Sequence, residues 1–163
     1  MTYLVDSNWI ILALHDDPQA VAFLELLIND GVAMSIITYM EVFQGLEREI
    51  DPPAAIAQFQ RLLDRVPVLP FSMDVARRCA VVREILRLQK RRVNSRALDL
   101  LNAATALEYN LTFVTQNIDD YKDLPQAVGL KLYQPPAPLA EPAPPLPIED
   151  TDQPEVIDQQ EKE

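Results

Sequence analysis

Four acidic residues follow predicted strands or begin a predicted helix, and these positions make them candidates for one shared site. They are Asp6, Glu41, Asp99 and Asp120. In parallel α/β sheets, the carboxyl ends of the strands open onto a crevice in which binding sites form. Carboxylates gathered there would repel one another and raise one another's pKa unless a cation lay between them. The pattern therefore predicts a site for hard divalent cations with oxygen ligands, Mg2+ or Mn2+.

Such a site would carry out metal-assisted hydrolysis. Two divalent ions about 4 Å apart can bind the attacking water and the leaving oxygen of a phosphodiester displacement. This chemistry needs no histidine or cysteine, and the chain has only His15 and Cys79. One residue of each type excludes a disulfide scaffold and a cysteine-based zinc site, and it disfavours a Ser–His triad. No glycine-rich dinucleotide or Walker-type phosphate loop occurs.

Residues 96–120 contain the elements that would position two of the acids. Apolar residues recur around Asp99 at near-helical spacing, which predicts a helix that begins beside this carboxylate. Asn110 favours a left-handed helix end, and residues 111–115 then form a predicted buried strand. Asn117 and Asp120 follow this strand directly. A carboxylate from a helix start and one from a strand end can therefore converge.

The N-terminal acid has two interpretations. Residues 2–5 form a β-prone run, which Asp6, Ser7 and Asn8 end. All three residue types cap helices by accepting hydrogen bonds from free N–H groups, which is the ordinary interpretation. In the functional interpretation, Ser7 or Asn8 caps the next helix while Asp6 stays free and points into the crevice.

Glu41 has a similar pair of interpretations. Residues 32–37 form the second predicted strand, and Thr38 is expected to cap the helix that follows. Thr38 and Glu41 have the spacing of a capping box, in which Glu41 would bond back to the backbone. Alternatively, Glu41 turns away from the backbone toward Asp6, because both residues follow parallel strands.

The remaining pattern alternates helices with short strands, which is typical of an α/β fold with a mainly parallel sheet. Helices are expected at 19–29, 54–65 and 73–92. Residues 66–70 predict an edge strand, because their prolines cannot lie in a central ladder. Residues 131–133 predict a last strand.

Composition changes abruptly at residue 134. Residues 134–163 hold eight of the 14 prolines and eight acids against one lysine, so they carry −7 of the net charge of −11. Such a segment buries too little apolar surface to offset its ordering entropy. We expect one folded domain at 1–133 and a disordered, Pro-rich acidic tail at 134–163. No membrane-length apolar run or signal-like segment occurs, which favours a cytoplasmic protein.

A basic stretch precedes Asp99. Six of the 13 bases in residues 1–133 fall within residues 83–96. Cations near a helix C-terminus complement the helix dipole, so a solvated helix face is the ordinary explanation. The density favours a phosphate-contacting rim instead, so an acidic net charge does not exclude a nucleic-acid partner. The residues expected to contact RNA are Lys90, Arg91, Arg92 and Arg96.

Four segments occur in the order YLVDSNWII, SIITYMEVFQGL, RALDLLNAATALEYN and LTFVTQNIDDY. They resemble the successive motifs of PIN-domain ribonucleases, in particular the VapC toxins of bacterial VapBC toxin–antitoxin pairs. The resemblance covers residues 2–133 and leaves out the tail. It implies a PIN-like three-layer α/β/α fold and an endoribonuclease that depends on Mg2+ or Mn2+. It also implies a homodimer that a cognate antitoxin holds inactive.

The resemblance assigns roles to individual residues. It implies an acidic core of Asp6, Glu41 and Asp99, with Asp120 as a fourth acid beside Asn117 and Tyr121. Asp119 is an alternative fourth acid, because the doubled aspartate leaves the register open. Ser7 and Thr115 match small hydroxyl positions around the metal ligands Asp6, Asp99 and Asp120, and Asn8 is expected to support the strand end. Asn102 departs from the family pattern, where an apolar residue is expected.

Two other functions compete with this interpretation. A non-catalytic PIN-like module that binds RNA or protein would keep the fold without turnover. A phosphotransfer receiver or phosphatase also uses an aspartate at a strand end. The second alternative is disfavoured, because position 8 is Asn rather than the second aspartate of a D-x-D motif.

Overall fold

The protein is described by a computed structural model over residues 1–133. The expected disordered tail at 134–163 lies outside the described residues. The strands are β1 (Tyr3–Val5), β2 (Val32–Ser35), β3 (Val68–Leu69), β4 (Thr112–Val114) and β5 (Leu132–Tyr133). The helices are α1 (Ser7–Leu14), α2 (Pro18–Asp30), α3 (Ile36–Leu46), α4 (Pro52–Leu63), α5 (Met73–Leu88), α6 (Ala97–Glu108) and α7 (Leu124–Val128). Short 3-10 turns at Asn94–Arg96 and Ile118–Asp120 precede and follow the α6–β4 unit.

The five strands form one parallel sheet in the order β3-β2-β1-β4-β5. Its central strand β1 pairs Val5 with Met34 on one side and with Val114 on the other. The predicted parallel α/β sheet is therefore confirmed, with β3 as the proline-flanked edge strand that was expected. All strands end at the same edge of the sheet, which is where a site can form.

Alternating strand residues divide the core into two layers, because successive side chains of a strand point to opposite faces. Leu4, Ala33 and Phe113 pack with α5, α6 and α7 on one face. Val5, Met34 and Val114 pack with α1, α2, α3 and α4 on the other. Both faces of the sheet are covered, so the predicted three-layer α/β/α arrangement is confirmed.

Two helix boundaries differ by three or more residues from those predicted. Ser35, rather than Thr38, is the N-cap of α3, and its side chain accepts a hydrogen bond from the Thr38 N–H at 2.9 Å. The strand is thus shorter than expected and the helix begins three residues earlier. Helix α5 ends at Leu88 instead of residue 92, and Lys90 has a left-handed φ of 57° just beyond it.

No helix within residues 1–133 is long and apolar enough to cross a membrane.

Candidate functional site

The register of the sheet brings three polar side chains together beyond the strand ends. Asp6, Ser35 and Thr115 each come one residue after a register partner in the central part of the sheet. They share the alternation of Leu4, Ala33 and Phe113, so they face the layer that contains α6. All three are buried.

Asp6 is not free, because both of its carboxylate oxygens accept hydrogen bonds. Its Oδ1 accepts the Ser7 N–H at 2.9 Å, so Asp6 itself is the N-cap of α1. Its Oδ2 accepts the Thr115 hydroxyl at 2.6 Å. Asp6 is only 6% exposed, so it does not lie free in the crevice as the functional interpretation expected. Burial raises the pKa of Asp6, although the bonds from Thr115 and Ser7 oppose this effect.

Glu41 is not part of a capping box, because Ser35 already caps α3. The prediction that Thr38 caps this helix with Glu41 is wrong, since Thr38 lies within its first turn. Glu41 is half-buried near Ser7, and burial raises its pKa. A hydrogen bond with Ser7 lowers the pKa, whereas the charges of Asp6 and Asp99 raise it further. Glu41 therefore belongs to the same electrostatic cluster as these two acids.

Asp99 lies on the first turn of α6, as predicted. Its Oδ1 accepts a hydrogen bond from the Tyr121 hydroxyl at 3.3 Å. Burial raises the pKa of Asp99, and the charges of Asp120 and Asp6 raise it further, while Tyr121 and Arg96 oppose them. The pKa of Asp99 is thus raised by the charges of both Asp6 and Asp120.

Asn102 extends this contact into the core. It is 1% exposed, and its Oδ1 accepts the Ser35 hydroxyl at 2.5 Å. A hydrogen bond from Asn102 also lowers the pKa of Tyr121, against the stronger raising effects of burial and of the nearby acids. Tyr121 therefore stays protonated and keeps a proton to donate to Asp99. A buried polar path joins β2, α6 and the turn after β4.

The two adjacent aspartates of the turn behave differently. Asp119 points outward and forms an ion pair with Lys122 at 2.7 Å. Asp120 is half-buried, accepts a hydrogen bond from the Asn117 side chain and raises the pKa of Asp99. The Asn117 N–H in turn donates to Thr115 at 3.0 Å. These contacts favour Asp120 over Asp119 as the member of the acidic cluster.

Arg96 has a different position from the one predicted. It is 7% exposed, so it is not part of an exposed phosphate-contacting rim. Its two terminal nitrogens donate to the Asp123 carboxylate at 3.0 and 2.9 Å, and one also donates to the Asp120 carbonyl. Arg96 precedes α6 and Asp123 follows the 3-10 turn. The ion pair therefore ties the helix that carries Asp99 to the turn that carries Asp120.

The other predicted RNA contacts remain at the surface. Lys90 and Arg92 are exposed, and Arg91 is partly exposed with an ion pair to Asp123 at 3.3 Å. Asn8 is also exposed, on the first turn of α1.

The four acids are not paired directly with a cation in the part of the chain that the structure describes, although the charge of Arg96 acts on Asp99. Among residues 1–133, no ion pair reaches the carboxylate of Asp6, Glu41, Asp99 or Asp120. In the same part of the chain, no three acidic, histidine or cysteine side chains lie close enough as they stand to hold a metal ion. The carboxylates are near enough to raise one another's pKa but are held in separate hydrogen bonds.

Comparison with known families decides what this arrangement belongs to. A family model described as PIN domain matches residues 3–125, which is most of the chain. The chain belongs to the PIN domain family. The resemblance seen in the four sequence segments is thereby confirmed.

Named relatives of this PIN domain are ribonucleases. Ribonuclease VapC1 of Haemophilus influenzae is 29% identical over 124 residues, covering 75% of this chain and 91% of the relative. Ribonuclease VapC2 of Rickettsia felis is 28% identical over 132 residues, covering 78% and 96%. The crystal structure of VapBC2 from Rickettsia felis, bound to a DNA fragment from their promoter, has a TM-score of 0.70. It is 25% identical and covers 82% of this chain and 98% of that one.

Two parts of the site were not found from the sequence. Asp123 gave no signal, because its partner Arg96 lies 27 residues away. Ser35 was read as part of a strand, and its bond to Asn102 spans 67 residues. The departure of Asn102 from an apolar helix pattern was the one available signal, but it did not identify Ser35 as the partner.

Proposed function

We propose that this chain is a divalent-metal-dependent endoribonuclease that hydrolyses RNA phosphodiester bonds as the toxin of a type II toxin–antitoxin system. The observation that carries the proposal is the cluster of Asp6, Glu41, Asp99 and Asp120 beyond the strand ends of a PIN domain. Burial raises the pKa of Asp6, Glu41 and Asp99, and the charges of neighbouring acids raise the pKa of Glu41 and Asp99 further. The relatives named Ribonuclease VapC supply the reaction class.

The donor set fits a hard divalent cation in the type of its atoms, although within residues 1–133 these side chains are too far apart as they stand to hold one together. All four side chains offer oxygen ligands, and their negative charge is not balanced by an ion pair within residues 1–133. Asp6, Asp99 and Asp120 would hold Mg2+, with Mn2+ as the alternative. Bound there, the ion would lower the pKa of the attacking water and stabilise the charge that develops on the phosphate.

The chain's own residues would orient these ligands and move a proton. Thr115 and the Ser7 N–H fix the two oxygens of Asp6. Asn117 holds Asp120, and Tyr121 donates to Asp99. Glu41, whose raised pKa favours the protonated form more than in an ordinary glutamate, is suited to exchange a proton with the attacking water or the leaving oxygen.

The exposed basic residues would bind the RNA backbone. Lys90, Arg91 and Arg92 follow α5 close to the Asp123 contact, so phosphates beside the cleaved bond can meet them. Such contacts contribute affinity that falls with salt and carry no sequence information.

The decisive experiment measures cleavage of single-stranded RNA with and without Mg2+. We expect Asp99→Asn to lower kcat by at least about a hundredfold, because it removes a ligand of the cation that would stabilise the negative charge developing in the transition state. The matched control is Asp119→Asn, an exposed aspartate two residues from Tyr121 that pairs with Lys122. The control should cleave at the wild-type rate. Equal rates for wild type and Asp99→Asn, or cleavage unaffected by a chelator, would contradict the proposal.

We also propose that the chain binds a cognate antitoxin and forms a homodimer. The structural neighbours that contain both VapB and VapC support the first part. Co-purification with the product of the adjacent gene, followed by mass determination of the complex and of the free chain in solution, tests both parts. A monomer that the adjacent gene product does not bind would contradict them.

A further inference from the structure

A cavity of about 620 Å3 opens between α5, the loop after it and the start of α6. This volume lies within the range of about 300–1,000 Å3 typical of small-ligand pockets. Cys79, Val93 and Leu101 give it an apolar floor, and Phe71 forms part of its wall with 51% of its surface exposed. The cavity can therefore take a planar apolar group.

The rim of the cavity is basic. Three arginines line it against one glutamate, Glu84, which is paired with Arg87 at 2.7 Å. Arg83 makes no ion pair among the described residues. Its guanidinium donates to the Val93 carbonyl at 3.5 Å and to the Asn94 side chain at 3.3 Å, both neutral acceptors. An uncompensated guanidinium over an apolar floor favours a ligand that is both planar and anionic.

One wall of the cavity is joined to the acidic site. Arg91 lines the cavity and lies 3.3 Å from Asp123. Asp123 also binds Arg96, which donates to the carbonyl of Asp120. A chain of direct contacts therefore runs from the cavity to the turn that carries one of the four acids.

We propose that this cavity binds one nucleotide of single-stranded RNA next to the cleaved phosphodiester. The base stacks on Phe71 above the apolar floor, the Asn94 amide faces the base edge, and the adjacent phosphate meets Arg83 and Arg91. Unpaired bases are recognised in this way, by stacking on aromatic side chains and by arginine. The inference rests on the proposed ribonuclease function and gives that function a subsite.

The first test separates binding from chemistry. Phe71→Leu and Arg83→Gln are made in the full-length chain, and cleavage of an RNA oligonucleotide is followed at steady state. We expect KM to rise about fivefold or more for each variant, for Phe71→Leu because a stacked base is lost and for Arg83→Gln because a phosphate contact is lost, while kcat stays within about twofold. For an oligonucleotide that lacks the nucleotide proposed to bind in the cavity, KM should be the same for the variants and the wild type.

The matched control is Arg77→Gln. Arg77 lies on the same helix, is exposed and pairs with Asp74 outside the cavity. It removes the same charge as Arg83→Gln but should leave KM unchanged. Because Arg83 is partly buried, Arg83→Lys serves as a second variant that keeps the charge. It should retain most of the affinity, which separates a charge effect from damage to the fold.

A second measurement does not depend on cleavage. Binding of a dye-labelled RNA oligonucleotide is followed by anisotropy in chelator, and modification of Cys79 by a small thiol reagent is timed with and without RNA. The chain has one cysteine, and it lies on the cavity floor, so bound RNA should slow its modification. If the wild-type chain binds RNA but does not cleave it, the proposed function fails while this measurement still decides the subsite.

Two results would overturn the subsite. Unchanged KM and unchanged RNA affinity in Phe71→Leu and Arg83→Gln would show that RNA does not use the cavity. Tighter RNA binding by Arg83→Gln would indicate a different occupant, such as the acidic residues 134–163, that competes with RNA for the same arginine.

Discussion

Replacing Arg96 by Met tests how the two halves of the acidic cluster are held together. The substitution keeps a long apolar stem but removes the guanidinium that bonds to Asp123 and to the Asp120 carbonyl. Removing one partner of a buried ion pair costs about 3–5 kcal/mol, because the other charge is left buried.

Three features of the structure change this cost. Asp123 is 18% exposed, and Arg91 lies 3.3 Å away as a substitute partner. Among residues 1–133 the Arg96 Nε has no hydrogen-bond partner, so its removal also ends a desolvation cost of about 1–3 kcal/mol. We therefore expect Arg96→Met to lower the free energy of unfolding by about 2–3 kcal/mol, and Tm by roughly 6–15 °C.

The assay is denaturant unfolding of the full-length chain, with Arg91→Met as the matched control. The Arg91–Asp123 pair is more exposed, so the control should cost no more than about 1 kcal/mol. The double variant Arg96→Met/Asp123→Leu should recover much of the stability, because no unpaired buried charge remains and Arg91, which also loses Asp123, is partly exposed. It should not recover RNA cleavage, since nothing then holds the Asp120 carbonyl. Equal losses for Arg96→Met and Arg91→Met, or full activity in the double variant, would refute this reasoning.

Three further outcomes follow from the same cluster. Asn102→Leu should lower the free energy of unfolding by about 1 kcal/mol, because its hydrogen bonds are lost. It should also raise the Mg2+ concentration needed for half-maximal cleavage, and an unchanged Mg2+ requirement would contradict this. In chelator, Asp99→Asn should raise the free energy of unfolding by roughly 0.5–2 kcal/mol, because it removes a charge that acts on Glu41; calorimetry showing a lower Tm would count against it. The pKa values of Asp6, Glu41 and Asp99 are raised in the native state, so the native chain binds more protons than the unfolded chain does. Without metal, the contribution of these three acids to stability should therefore increase as pH falls from neutral toward about 5. Burial raises the pKa of Asp123, but the contacts with Arg96 and Arg91 outweigh it and lower the pKa overall, so at still lower pH stability is lost as Asp123 becomes protonated. Denaturation in chelator across this range checks both signs: a steady fall from neutral pH would contradict the predicted rise, and a continued rise at low pH would contradict the predicted loss.

The sequence predicted the parts of the fold that depend on local patterns. Helix α6 begins just before Asp99 and its end is marked by Asn110, which has a left-handed φ of 53° as expected. The apolar runs that became β1, β2 and β4 were recognised because both faces of a covered parallel sheet are apolar. The edge position of β3 followed from its prolines.

The parts that were missed depend on contacts between distant segments. Ser35 and Thr38 are both good capping residues, and the choice between them depends on how far β2 pairs with β1. The burial of Arg96 depends on Asp123, and the burial of Asp6 depends on Thr115 arriving beside it from β4. A local pattern gives the type of each side chain but not the partner that reaches it.

The strict alternation along the short central strands sets a rule for how this protein can change in length. Asp6 faces α6 because it has the same parity as Leu4, and Thr115 has the parity of Phe113. Deleting or inserting a single residue within β1 or β4 would rotate one of these side chains through the sheet and into the opposite layer. Whole turns can be added between the helices without this effect. The inner strands β1 and β4 therefore tolerate a change in length only by an even number of residues, if the site residues are to stay on the face that packs against α6.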